Sequence, residues 1–141
     1  MPEVTYTASA TATGEGRNGG RTVTSDGLLD VTLAIPKEFG GNGGATNPEQ
    51  LFAVGWSSCF LGAVKRAAAA RKVKLDDLAV VADVTLHHAD DEFWLSGALH
   101  LEMSGVDKLT AEELGAAAHQ ICPYSKATRG NVEVTIDVTV D

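Results

Sequence analysis

Residues 47–72, Asn47-Pro48-Glu49-Gln50-Leu51-Phe52-Ala53-Val54-Gly55-Trp56-Ser57-Ser58-Cys59-Phe60 followed by LGAVKRAAAARK, contain the longest helical signal in the 141-residue chain. Asn47 can cap the first backbone amides, Pro48 suits the first helical position, and Glu49 complements the positive end of the helix dipole. Leu51, Phe52, Val54, Trp56, Phe60, Leu61 and Val64 fall on several faces, so the reading predicts a helix over 48–72 that is buried nearly all round until Lys65, Arg66, Arg71 and Lys72 bring it to water. Gly55, Ser58, Cys59 and Gly62 recur at spacings of three and four, which makes one stripe small. A stripe of this kind implies close packing, either against a partner helix or along a substrate tunnel, or tight packing with no further role.

Strands surround this helix. Residues 4–13 read as an extended opening segment, and 21–25 and 28–35 as two strands joined at Asp26-Gly27, a strong hairpin signal. Between the first two lies Gly14-Glu15-Gly16-Arg17-Asn18-Gly19-Gly20, a turn that presents the charge of Arg17. Pro36 and the glycines at 40, 41, 43 and 44 predict a mobile loop that could cover a site. Residues 78–88 and 93–103 predict a second hairpin, Thr110-Ala-Glu-Glu113 a capped helix over 110–120, and Pro123 a break just after Cys122. Val132, Val134, Ile136, Val138 and Val140 alternate with polar residues as in a half-buried strand. Because helices and strands do not alternate regularly, the fold class is α+β in one domain, residues 1–141.

Composition narrows the function. A net charge of -8 and a pI near 4.8 with no basic block argue against nucleic acid, whose phosphates need clustered Lys and Arg. No stretch reaches the length of a membrane span and no secretory leader opens the chain, so a cytoplasmic location is expected. The two cysteines are separated by 62 residues and belong to no CxxC, which disfavours a zinc knuckle and, in a reducing compartment, a static disulfide. His87 and His88 are adjacent on a strand and point to opposite faces, and His100 and His119 are isolated, so no metal site or cofactor is expected. Ser57 and Ser58 lack the elbow of a serine hydrolase.

Cys59 and Cys122 remain as the candidate chemistry. Free cysteine often serves only as a small buried hydrophobe. Arg17 in its glycine turn and Glu49 at the helix start add a charged cluster beside an apolar one, with Arg21 a nearby competitor for the role of Arg17. Glu49 lies about 15 Å along the helix from Cys59 at 1.5 Å per residue, so a long, forked arginine is needed to link carboxylate and thiolate. A thiol of pKa about 8.5 is only about 5% ionised near neutrality, but lowering the pKa also lowers nucleophilicity, and the two effects nearly cancel. An arginine would therefore act mainly on the transition state, holding peroxide oxygens and the departing alkoxide. Cys122, at an interrupted helix end where opening is easier, suits a resolving thiol that condenses with a sulfenic acid. Phe39, Phe52, Trp56 and Phe60 read either as core or as the wall of an apolar substrate pocket.

Asn47-Pro48-Glu49-Gln50-Leu51-Phe52 leading into Ser58-Cys59-Phe60, together with Cys122-Pro123-Tyr124-Ser125-Lys126-Ala127-Thr128-Arg129-Gly130-Asn131-Val132, resembles the organic hydroperoxide resistance proteins of the OsmC/Ohr family over nearly the whole chain. The resemblance implies an organic hydroperoxide reductase with a peroxidatic Cys59, a resolving Cys122, and an activating Arg17 held by Glu49. It also implies an intertwined homodimer, antiparallel sheets wrapped around two central helices, active sites at the subunit interface, and recycling by dihydrolipoyl groups of lipoylated proteins in place of a bound cofactor. Asn18 stands where related sequences often have Asp, and Trp56 where Tyr or another bulky residue is expected. A noncatalytic redox sensor or a ligand-binding protein of the same fold is the alternative.

Overall fold

Asn47 caps α1 (Pro48–Ala70) by accepting a hydrogen bond from the Gln50 backbone N–H at 2.9 Å. The helix ends before the anticipated residue 72 because Lys72 turns left-handed at φ 56°, and the Val73 N–H reaches back to the Ala68 carbonyl at 2.9 Å, a Schellman closure. The computed structural model describes residues 2–141. They divide into two compact units, one running to Leu51 and the other Phe52–Asp141.

In the first unit, β1 (Ala10–Thr13), β2 (Arg21–Thr24) and β3 (Asp30–Thr32) form an antiparallel meander in that order. Of the extended opening segment only Ala10–Thr13 acquires a strand partner. The Asp26-Gly27 signal sits at the tip between β2 and β3, with the Asp26 carboxylate accepting from the Leu28 N–H at 3.0 Å. Arg17 rides on a 3-10 turn, Gly16–Asn18. Gly20 closes that turn so tightly that a Cβ there would lie 2.2 Å from the Thr13 carbonyl oxygen. The second glycine loop is tied down rather than free: the Gly41 and Gly43 N–H groups donate to the Pro36 and Ile35 carbonyls at 3.1 and 3.0 Å.

In the second unit, β4 (Asp77–Ala89) and β5 (Glu92–Ser104) form the expected hairpin. Its tip is the two-residue turn Asp90-Asp91, at φ 51° and 67°, which matches the twist of the flanking strands. β6 (Glu133–Val140) runs parallel to β5, so this sheet is not antiparallel throughout as anticipated. Parallel neighbours need a crossover, supplied by α2 (Lys108–Ile121) and α3 (Pro123–Thr128). α2 starts earlier than Thr110 because Asp107 is its cap, accepting from the Thr110 N–H at 2.8 Å.

One stripe of α1, Trp56, Phe60, Ala63, Val64, Ala67 and Ala68, enters the core with Leu99, Leu101 and Met103 of β5 and Ala111, Leu114 and Ala118 of α2. The opposite side is open in the single chain: Val54 is 64% exposed, and Ser58 and Gly62 are exposed with it. No described helix is long and apolar enough to cross a membrane.

On the far face of the sheet, His100 bridges two strands, Nε2 to Asp83 at 2.9 Å and Nδ1 to Asp137 at 2.8 Å. Asp83 first and then Asp137 raise its pKa above the ordinary 6.5. A raised folded pKa makes the contribution to stability full below 6.5 and progressively lost as pH rises through the folded value. The site is exposed, so the effect is small. Denaturant midpoints should fall slightly above that pH in the wild type, and His100→Gln should flatten the trend.

Candidate active site

Cys59 lies mid-way along α1, and Cys122 is the hinge residue between α2 and α3. Pro123 lacks an N–H and suits the first position of α3, so Cys122 stays extended at φ -65°, ψ 122°. The Cys122 N–H donates to the Ala118 carbonyl at 2.8 Å and its carbonyl accepts from Lys126 N–H at 3.0 Å, so the residue closes one helix and opens the next. This geometry brings the two sulfurs to 3.4 Å, with the Cys122 thiol oriented to donate to Cys59 Sγ. Both thiols are free.

Their surroundings are unequal. Cys59 is half-buried, whereas Cys122 is 0% exposed and belongs to the core cluster. Of the two readings of Cys122, a breakable helix end and a buried small residue, its enclosed side chain and engaged backbone groups favour burial. Burial, followed by the neighbouring Cys122 sulfur, pushes the Cys59 thiol above its ordinary value, while the Tyr124 backbone N–H, directed at the Cys59 sulfur, pulls it down. Burial thus works against ionisation of Cys59.

The hinge is registered against α1 by a second contact one turn away. Trp56, three residues before Cys59, donates from Nε1 to Oγ of Ser125, three residues after Cys122, at 3.4 Å. Gly55 lies under the Tyr124 ring, where a Cβ would be 3.0 Å from Cε2. The small stripe is thus filled at Gly55 by this chain's own hinge. Ser125 is 0% exposed, so Ser125→Ala strands the buried Trp56 N–H and should lower stability by about 1–3 kcal/mol in chemical denaturation. On the other side of Trp56, a Cβ on Gly97 would fall 2.6 Å from Cζ3. Gly97→Ala should cost about 1–3 kcal/mol in the same assay, because the ring has no room to retreat.

In the first unit, Arg17 and Glu49 form a two-pronged pair, Nη1 to Oε1 at 2.6 Å and Nη2 to Oε2 at 2.8 Å. Glu49 holds the guanidinium's pKa above its ordinary value by hydrogen bonding. Arg21, the competitor for this role, is committed elsewhere, forking onto Asp30 at 2.8 and 2.6 Å.

The aromatic set separates. Phe60 is 0% and Trp56 1% exposed, which favours the core side of the two readings for both. Phe52 is half-buried and meets Trp56 and Tyr124 edge-on at 5.6 and 6.3 Å. Phe39, in the first unit, is 40% exposed. Each remaining histidine has its own partner or packing: His87 bonds Ser96 at 2.7 Å and stacks on Trp94, His88 stacks on Phe93, and His119 lies near Phe60. Among the described residues no group of three or more His, Cys, Asp or Glu side chains is placed to hold a metal ion.

The family pattern described as OsmC-like protein matches residues 40–137. The chain belongs to the OsmC family. Within it, the organic hydroperoxide resistance protein of Xanthomonas axonopodis pv. citri is 48% identical over 95% of this chain and 94% of its own length. The organic hydroperoxide resistance protein OhrB of Bacillus subtilis is 39% identical over 94% of this chain and 97% of that protein. Among solved structures, an organic hydroperoxide resistance protein from Legionella pneumophila superposes with a TM-score of 0.92 at 45% identity, covering 98% of this chain and 100% of that one. The α+β architecture is thus that of the OsmC/Ohr fold.

For this OsmC-family chain, sequence reasoning singled out both thiols and both members of the Arg17–Glu49 pair. It missed Ser125 and Gly97, and left Trp56 open between core and pocket wall. The signal for Ser125 lay in the mirrored spacing about the two cysteines, three residues before one and three after the other. Gly97 carried none, since nothing in a strand sequence announces an indole pressed against it.

Proposed function

We propose that the protein reduces organic hydroperoxides to alcohols with Cys59 as the peroxidatic thiol and Cys122 as the resolving thiol. The observation that carries this reading is the 3.4 Å contact between the sulfurs of a half-buried and a fully enclosed cysteine. The Cys59 thiolate attacks the distal peroxide oxygen, the O–O bond breaks, the alcohol leaves, and Cys59 becomes a sulfenic acid. Cys122 then attacks that sulfur, water leaves, and a disulfide forms before further oxidation. The relatives' names support the substrate class, since they are organic hydroperoxide resistance proteins.

Arg17 is the group assigned to the peroxide oxygens, held in its fork by Glu49, and Phe39 and Phe52 are the aromatic residues assigned to the alkyl chain. Burial of that chain would contribute about 25 cal/mol per Å² of apolar surface, an advantage hydrogen peroxide lacks. A dithiol, by family analogy the dihydrolipoyl group of a lipoylated protein, would return the disulfide to thiols in the cytoplasm. The open face of α1 at Val54, Ser58 and Gly62 supports a homodimer packed through its central helices. Light scattering should then give twice the 14.7 kDa chain mass.

Purified protein with dihydrolipoamide should consume an alkyl hydroperoxide faster than hydrogen peroxide. Consumption of neither removes the enzyme reading and leaves the redox sensor in its place.

A further inference from the structure

We infer that the reducing dithiol enters only through Cys59: it attacks the Cys59 sulfur of the disulfide and expels Cys122. This rests on the proposed peroxidase cycle. Thiol–disulfide exchange places three sulfurs nearly in line, so the nucleophile must reach the attacked sulfur from the side away from its partner. Attack on Cys122 would require approach through the core, where its exposure is 0%. Nor can Cys122 swing out readily. Its N–H and carbonyl close α2 and open α3, and Ser125, one turn on, is buried and bonded to Trp56. Cys59 retains accessible surface on α1.

The exchange proceeds in two balanced steps. A thiolate of the reductant forms an S–S bond to Cys59 Sγ, the Cys59–Cys122 bond breaks, and its electron pair leaves with Cys122 Sγ, which takes up a proton. The reductant's second thiolate then attacks its own disulfide-bonded sulfur, closing a cyclic disulfide and releasing Cys59 as the thiolate. Two electrons have passed from dithiol to protein. Peroxide and reductant therefore approach the same sulfur, and the alcohol product should inhibit both half-reactions.

Two measurements on the full chain test this. In the first, the oxidised wild type is pulsed briefly with about one equivalent of 2-mercaptoethanol, a monothiol with no second thiol for ring closure, so that the mixed disulfide of the first step is caught by the quench. Acid quenching, alkylation with N-ethylmaleimide and peptide mass mapping should then find mercaptoethanol on Cys59 and maleimide on Cys122, in a ratio of at least about 10 to 1. In the second, 5,5′-dithiobis(2-nitrobenzoate) should react with Cys59 in Cys122→Ser at least about 100-fold faster than with Cys122 in Cys59→Ser, since a buried thiol waits on local opening. Mercaptoethanol found mainly on Cys122, an even distribution, or comparable probe rates in the two variants would each overturn the inference. Hydroperoxide consumption with dithiothreitol, followed in the same preparation, keeps the two readings apart. Turnover with attack at Cys122 sinks this inference alone, and no turnover sinks the cycle beneath it.

Discussion

Cys59→Ser is expected to abolish hydroperoxide consumption, a fall of at least about 10³-fold, because a serine hydroxyl offers no nucleophile near neutrality and nothing else in the site replaces it. Cys122→Ser should behave differently. Its Cys59 should react with the first equivalent of alkyl hydroperoxide at close to the wild-type rate, and then stall as the sulfenic acid or pass on to the sulfinic acid. Stopped-flow peroxide consumption and intact mass together read both outcomes. The prediction follows from the asymmetry of the pair: Cys59 is partly accessible, while Cys122 is enclosed and can meet only what Cys59 has become. Equal failure of both variants at the first oxidation would remove the division of roles.

Arg17→Lys should lower kcat/KM for an alkyl hydroperoxide by about 10²-fold, the usual consequence of losing a donor that meets charge developing in a transition state. Lysine keeps the charge and loses the fork. Burial pushes the Cys59 thiol up rather than down, and the role assigned to Arg17 is on the departing oxygen. Stability should hardly change. The Arg17 side chain is 43% exposed, and ion pairs at such positions contribute about 0–1 kcal/mol. A variant with an unchanged denaturation midpoint and lost turnover would place Arg17 in the chemistry. Near-wild-type turnover would assign the Arg17–Glu49 pair to structure alone.

Much of this was legible in the residues, for local reasons. Asn47 and Pro48 announced α1 because capping and a fixed φ act within one turn, and Asp26-Gly27 announced a hairpin tip for the same reason. What failed was long-range. The parallel pairing of β6 with β5 depends on where the α2–α3 crossover returns the chain, and no alternation pattern in Glu133–Val140 encodes its direction. The openness of α1 around Val54 was hidden because apolar and small residues look alike whether they face a core or the surface. The thiols and the Arg17–Glu49 pair were readable from residue type. The enclosure of Cys122 was one of two open readings, since a proline after a cysteine fits a breakable end as well as a buried hinge, and the Trp56–Ser125 contact is what the sequence did not announce.

The central claim is that the 3.4 Å thiol pair is a working redox couple. Its most direct measurement is the product of one equivalent of alkyl hydroperoxide added to the reduced protein, quenched with acid, alkylated, and mapped by peptide mass. The account predicts one equivalent of alcohol and a Cys59–Cys122 disulfide with neither residue alkylated. Recovery of both cysteines alkylated, with the hydroperoxide unconsumed, would contradict it.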